Sequence, residues 1–157
     1  MINVKKGTAF TLEQSDFTGA TVSTVPITAG EVVYLDNSGN IQYATAALSV
    51  PNGAGSRLGF ALSGSTEGSV IASGRIPVLA LDGNSVIETD QFDGVVSLYT
   101  VGQNVTANAA GTGNITLQSV TVGATPTAKV LGVVVGNRQL TQGNSVPTTV
   151  IAIKLAA

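Results

Sequence analysis

Four acidic residues in the middle of the chain are the first candidates for chemistry. Asp82, Glu88, Asp90 and Asp93 carry carboxylate oxygens, which are ligands that Ca²⁺ prefers. Their spacing does not follow the ligand series of an EF-hand loop, and Gly94 is not flanked by such a series. The sequence therefore favours a solvated acidic loop, and we expect no metal site there.

Two glycine-bearing segments resemble ligand-binding loops. The DNSGN segment at residues 36–40 has its glycine too early for a calcium loop, and it predicts a hairpin turn. The GAGSRLG segment at residues 53–59 has the spaced glycines of a dinucleotide-binding loop, but a strand pattern follows it where a helix would be required. We interpret it as a linker.

The residue types that the chain lacks exclude much of enzyme chemistry. Histidine and cysteine are absent, which removes the commonest general base, any disulfide and any thiolate metal site. Paired carboxylates for glycoside cleavage remain compatible with the composition. However, sugar-cleaving clefts usually have aromatic floors, and the chain has three Tyr, four Phe and no Trp. We therefore expect no enzyme and no cofactor.

The charge content limits the partners. Only 10% of residues are charged, against a typical ~25%, and the seven Lys and Arg form no basic stripe that would bind nucleic acid. No apolar run is long enough for a transmembrane helix, and the N-terminus lacks the apolar core of a signal peptide. A polar, weakly charged surface is typical of a protein packed against other protein, and we expect synthesis in a cytoplasm.

The hydrophobic pattern predicts a mainly β protein. Short β-branched runs alternate with Gly, Asn and Ser turns, which favours a small barrel or sandwich. Two short helices are predicted at residues 12–16 and 84–93. The candidate strands cover residues 32–46 on both sides of the 36–40 turn, and residues 57–63, 69–72, 75–81, 94–101, 104–107, 114–122, 129–135 and 147–155.

The sequence repeats itself loosely. Residues 30–81 and 94–155 both run strand, turn, strand, linker and hairpin, which indicates an internal duplication within a single β domain over residues 29–157. Chance similarity between two β-rich stretches of low complexity is the alternative. The predicted alignment matches Gly30 with Gly94, Gly59 with Gly132 and, approximately, Arg57 with Lys129.

Residues 1–28 lie outside this repeat and predict an extended N-terminal arm. Lys5, Lys6, Phe10 and Phe17 are its candidate partner-interface residues, because an exposed Phe on a polar segment is costly unless something covers it. We expect a mobile arm whose Phe side chains fill pockets on a partner, so that deleting residues 2–24 spares the fold. The alternative is that the segment folds back on its own domain as an edge strand.

The stretches TAGEVVYLDNSGNIQYATA and RLGFALSGSTEGSVIASGRIPVLAL resemble the head decoration, or capsid cement, proteins of tailed bacteriophages. The resemblance covers residues 27–81 best, and the second copy departs from it by a long insertion between Asn108 and Thr127. Small or apolar residues fall where the family pattern places them at Gly30, Gly39, Gly59, Ala61, Leu62, Gly68 and Gly74.

The resemblance implies a non-enzymatic structural protein of the virion. Such a protein is made in the host cytoplasm, binds the major capsid protein on the outer capsid surface and stabilises the mature head. It also implies a homo-oligomer, with a trimer favoured and a dimer as the alternative. A receptor- or glycan-binding tip or fibre domain is the competing function. Glycan binding predicts that Tyr34, Tyr43 and Tyr99 are exposed together, whereas cement function predicts that they are core or interface residues.

Overall fold

A computed structural model of the chain describes residues 2–6, 17–21, 26–44, 57–118, 129–140 and 147–156. Within these ranges the protein is mainly β, which confirms the predicted fold class. The helices are α1 (Gly68–Ser73) and a 3-10 helix (Val96–Leu98). The strands are β1 (Ile2–Lys6), β2 (Phe17–Thr21), β3 (Val32–Leu35), β4 (Asn40–Tyr43), β5 (Arg57–Ala61), β6 (Arg75–Ala80), β7 (Val86–Thr89), β8 (Asn104–Ala107), β9 (Ile115–Leu117), β10 (Gly132–Leu140) and β11 (Thr148–Leu155).

The strands form two sheets. One is a closed barrel in the order β2-β4-β3-β5-β6, and the other is a six-stranded sheet in the order β1-β7-β11-β10-β8-β9. The predicted turn at residues 36–40 joins β3 to β4, and Gly39 takes the positive φ of 83° that this turn requires. Each half contains two hairpins, β3-β4 and β5-β6 in the first and β8-β9 and β10-β11 in the second, and the other strand pairs join strands that are not consecutive in sequence.

Two apolar cores lie on opposite faces of the barrel strands. Val33 and Val78 belong to one core, whereas their chain neighbours Val32 and Leu79 belong to the core shared with the six-stranded sheet; all four are fully buried. Successive side chains of a strand point to opposite faces, so a strand buried on both sides reads as a continuous apolar run. The sequence VV in β3 reflects this double burial.

The two halves share one strand topology. The order β4-β3-β5-β6 in the barrel is repeated as β9-β8-β10-β11 in the second sheet. Val33 pairs with Gly59 in the first half, and Val105 pairs with Gly132 in the second. Gly59 and Gly132 therefore occupy equivalent positions, as the sequence predicted.

A four-residue turn occurs once in each half, as TAGE at residues 28–31 and TVGQ at residues 100–103. The backbone N–H of the Thr donates to the side-chain oxygen of the fourth residue, at 2.7 Å in the first copy and 2.8 Å in the second. The glycines have φ values of 95° and 94°. The turn thus aligns Gly30 with Gly102, and the predicted alignment of Gly30 with Gly94 is wrong.

Both halves also begin earlier than predicted. β2 runs parallel to β4 with Ala20 beside Asn40, and Phe92, just after β7, forms a parallel bridge with Ile115 of β9. β2 and β7 are also antiparallel partners of the last strands of their halves, β6 and β11. The duplicated unit therefore includes the strand before the TAGE or TVGQ turn.

Two pieces of the predicted N-terminal arm, residues 1–28, belong to the sheets. β1 pairs with β7 at the edge of the six-stranded sheet, and β2 closes the barrel between β4 and β6. The alternative of a segment folded back on its own domain fits these two strands. The sequence predicted an arm because the FTGAT segment at residues 17–21 is short and mostly polar or small. Its pairing with β4 and β6 is evident only in the folded barrel.

The strand predicted at residues 69–72 is instead part of α1. The helix is one and a half turns long and ends at Gly74, whose φ of 67° allows its N–H to donate to the Val70 carbonyl at 2.7 Å. Val70 is buried, whereas Ile71 is 69% exposed. The β-branched pair suggested a strand, but only one of its two side chains has a core to enter.

Two further element predictions are wrong. Residues 94–101 form no strand, and they contain the 3-10 helix. Residues 84–93 contain no helix, because β7 lies there between β1 and β11. The predicted helix at residues 12–16 lies outside the described residues. Within the described ranges, none of the helices has the length and apolar character needed to cross a bilayer.

Candidate functional site

Those predicted interface residues that the structure describes lie in two different strands. Lys5 and Lys6 lie in the edge strand β1, and Phe10 lies outside the described residues. Phe17 is 7% exposed and packs in the barrel core with Val33 and other apolar side chains. Its assignment as a partner contact is therefore wrong, because β2 turns this ring toward the interior of its own barrel.

The acidic residues are also separated, each with its own partner. The Asp82 carboxylate accepts from the backbone N–H groups of Asn84 and Ser85, at 2.9 and 2.8 Å. Glu88 forms a bidentate ion pair with Arg138, at 2.7 and 2.8 Å.

Asp93 accepts from the side-chain amides of Asn108 and Asn114, and Asp90 accepts from that of Gln91. Within the ranges described, no group of acidic residues could hold a metal ion.

We expect that Asp82→Asn, Glu88→Asn, Asp90→Asn and Asp93→Asn will each retain partner binding. Glu88→Asn will lower the stability of the fold, because it leaves Arg138 without its carboxylate partner. The folded fraction of this variant should still bind the partner. Calorimetry with CaCl₂ and a binding assay on each folded variant check this. Saturable Ca²⁺ binding that any of these variants removes would contradict it.

The tyrosines do not share an exposed platform. Tyr99 is 2% exposed, and its hydroxyl donates to the Asp93 carbonyl at 2.8 Å. Tyr34 is partly buried against the core that joins the two sheets, and Tyr43 is partly buried against the other core. A glycan site built on these three rings is therefore not present.

An apolar surface loop is the clearest contact feature of the described chain. Val95, Leu98 and Val101 are 60%, 55% and 73% exposed, and residues 94–107 carry no charged side chain. Leu98 lies in the 3-10 helix, Val95 and Val101 flank it, and the buried Tyr99 ring holds the loop against the core. The sequence did not predict this surface, because the segment VVSLYTV resembles a half-buried strand. We call residues 94–102 the apolar loop.

The TAGE turn of the first half meets the other half of the chain. The Val32 N–H donates to the Gly113 carbonyl at 2.7 Å. Gly113 lies so close to the Tyr43 ring and the Glu31 carboxyl that a Cβ there would be 2.8 and 3.0 Å from them. The second-half turn at residues 108–114 thus fills the site beside the first-half TAGE turn.

The equivalent place beside the TVGQ turn is an open, amide-rich pocket. It encloses about 310 Å³, and its described lining consists of Gly102, Gln103, Asn104, Leu117 and Gln118. The Asn104 side-chain amide donates to the Gln118 side-chain oxygen at 3.2 Å, whereas the buried Gln118 Nε2 has no hydrogen-bond partner. A buried amide donor without an acceptor costs about 1–3 kcal/mol. The pocket therefore favours a ligand that brings an acceptor.

Glu31 is a buried carboxyl in the filled site. It is 7% exposed and accepts from the Thr28 N–H, whereas the neighbouring Tyr43 hydroxyl donates to the Pro26 carbonyl. Burial raises the pKa of Glu31 above its ordinary value, although the hydrogen bond from Thr28 opposes the shift. Burial and the nearby carboxylate raise the pKa of Tyr43 to about 12. In the second half, Gln103 takes the place of Glu31.

The raised pKa of Glu31 predicts that the free energy of unfolding depends on pH. The folded protein binds the Glu31 proton more tightly than the unfolded chain does, so the stabilisation is present below the unfolded pKa and is lost as pH rises through the folded pKa. We expect the unfolding free energy of the wild type, relative to Glu31→Gln, to fall as pH rises above 4.5, the ordinary pKa of this carboxyl. Denaturant unfolding at several pH values measures it, and a constant or rising difference would refute it.

Comparison with protein-family models, curated proteins and solved structures gave no match to this chain.

Proposed function

We propose that this protein is a non-enzymatic structural protein that decorates the outer surface of a phage capsid and stabilises the mature head. The observation that carries the proposal is the apolar loop, an uncharged exposed surface with three large aliphatic side chains. Exposed apolar patches rimmed by polar residues mark protein contact sites. The resemblance of residues 27–81 to capsid cement proteins supports the same function, with the major capsid protein as the partner.

The size of this surface fits binding in many copies. Burying one Val or Leu side chain stabilises a contact by roughly 1.5–3 kcal/mol, so three give a weak to moderate contact once the entropy of association is subtracted. A shell that presents many equivalent sites to an oligomer raises the effective concentration of each further contact. Cement function needs this kind of repeated contact and no reactive side chain.

The test is a variant with Val95→Ser, Leu98→Ser and Val101→Ser. We expect it to retain the wild-type Tm within a few degrees, because these side chains lie outside the cores, and to bind expanded empty capsids at least tenfold more weakly in co-sedimentation. Ile71→Ser is the matched control, since Ile71 is 69% exposed on α1, away from the loop in sequence. Equal binding by wild type and triple variant would refute the role of the loop.

A further inference from the structure

The open pocket and the filled site of the other half have the same backbone frame. In the first half, Ala44 N–H donates to the Val32 carbonyl at 3.1 Å, and the Val32 N–H donates on that same side of β3 to Gly113. In the second half, Gln118 N–H donates to the Asn104 carbonyl at 3.0 Å. The N–H and C=O of one strand residue point to the same side, so the Asn104 N–H faces the pocket.

The pocket therefore presents hydrogen-bond donors that suit a backbone carbonyl. In the equivalent site of the first half, the Val32 N–H donates to such a carbonyl, that of Gly113. Asn104 offers a backbone N–H where Val32 donates to a turn, and Gln118, which also lines the pocket, adds a buried side-chain donor without a partner. Leu117 replaces Tyr43, which leaves more room and an apolar wall. Because no charged side chain is in the described lining, charged ligands such as phosphates have no counter-charge there.

The chain itself contains a turn of the right kind. The 36–40 turn is the first-half counterpart of the 108–114 turn, since the Asp36 N–H donates to the Asn40 carbonyl and the Asn108 N–H donates to the Asn114 carbonyl, both at 2.9 Å. Its tip residues Asn37 and Ser38 are exposed. One turn thus fills the site in the opposite half, while the other has only its tip in solvent, since the Gly39 carbonyl accepts from the Ala20 N–H of its own barrel at 3.0 Å.

We propose that the 36–40 turn of one copy docks in the pocket formed by Gln103, Asn104, Leu117 and Gln118 of a second copy. Within one copy, the 108–114 turn already docks beside the TAGE turn of the other half. The proposed contact repeats this docking between two copies. It is heterologous, because two different surfaces meet, and such contacts close into rings when the rotation between copies allows it. This self-association goes beyond the capsid proposal and is independent of it.

Disulfide trapping tests the contact directly, because the chain contains no cysteine. Ser38→Cys and Asn104→Cys, which keeps the backbone N–H of the pocket, are made as two separate full-length variants, and each is oxidised alone and mixed with the other. We expect a disulfide-linked dimer in the mixture and none in either variant alone. Asn84→Cys, an exposed position outside both surfaces, replaces Ser38→Cys in the control mixture.

The possible results separate the alternatives. Cross-linking of Ser38→Cys to itself would indicate a symmetric contact, and equal cross-linking of Asn84→Cys to Asn104→Cys would indicate random collision; either overturns the proposal. A monomer in light scattering with no cross-link also overturns it. As a second measurement, Gln118→Leu, which removes the unpartnered buried donor, should weaken self-association at least tenfold without lowering Tm. If it weakens only capsid binding, the pocket accepts the capsid protein and the proposed self-contact is wrong.

Discussion

Gly59→Ala and Gly132→Ala should each destabilise the protein by about 3 kcal/mol or more, with a fall in Tm of roughly 6–12 °C. A Cβ at Gly59 would lie 2.2 Å from the Leu79 carbonyl oxygen, and one at Gly132 would lie 2.4 Å from the Lys154 carbonyl oxygen. Both obstacles are backbone atoms of the adjacent strand, so a side-chain rotation cannot relieve them. Thermal and denaturant unfolding of both variants measures the effect.

Gly136→Ala is the control for this pair, because it lies in the same strand as Gly132 but a Cβ there would meet nothing within 4 Å. We expect it to stay within about 1 kcal/mol of the wild type. If all three variants are equally stable, the close strand approach at the two equivalent glycines does not exist, and the structural basis of the duplication fails.

Removal of residues 2–24 should abolish the cooperative fold. This truncation takes away β2, which is bonded to β4 and β6 and contributes the buried Phe17 ring. Loss of a buried Phe alone costs about 3–5 kcal/mol, and a domain has only about 5–15 kcal/mol of total stability. The opened barrel would also expose two strand edges. Near-ultraviolet circular dichroism and thermal unfolding are the measurements.

A shorter truncation, which removes residues 2–6 alone, is the control. It deletes only β1, which has a single partner strand at the sheet edge. We expect a lower Tm with cooperative unfolding retained. A truncated chain without residues 2–24 that still unfolds cooperatively near the wild-type Tm would contradict the place of β2 in the barrel and restore the arm hypothesis.

The sequence predicted the parts of the fold that depend on local backbone chemistry. The 36–40 turn needs Gly39 at positive φ, and Gly59 and Gly132 leave space for a neighbouring backbone; both signals are carried by single residues. The pattern gave the wrong element at 69–72 and 94–101, because β-branched residues describe strand propensity while tertiary contacts decide which segments find partner strands.

The candidate contact surfaces could not be predicted in the same way. Phe17 is one residue in a polar stretch, and only its neighbours in the folded barrel show that it is buried. The open pocket has Leu117 and Gln118 where the first half has Tyr43 and Ala44, a comparison that requires the correct alignment of the two halves. The sequence alignment, which began at Gly94, placed the TVGQ turn out of register and therefore hid the correspondence.

Co-sedimentation with purified capsids tests the central proposal most directly. The wild-type protein is mixed with expanded empty capsids that lack decoration and, separately, with host cells, and the bound fraction is measured as a function of concentration. Decoration predicts saturable binding to the capsids, a fixed number of copies per shell, and greater resistance of the decorated shells to heat. Binding to cells with none to capsids would support a receptor- or glycan-binding protein and contradict the proposed function.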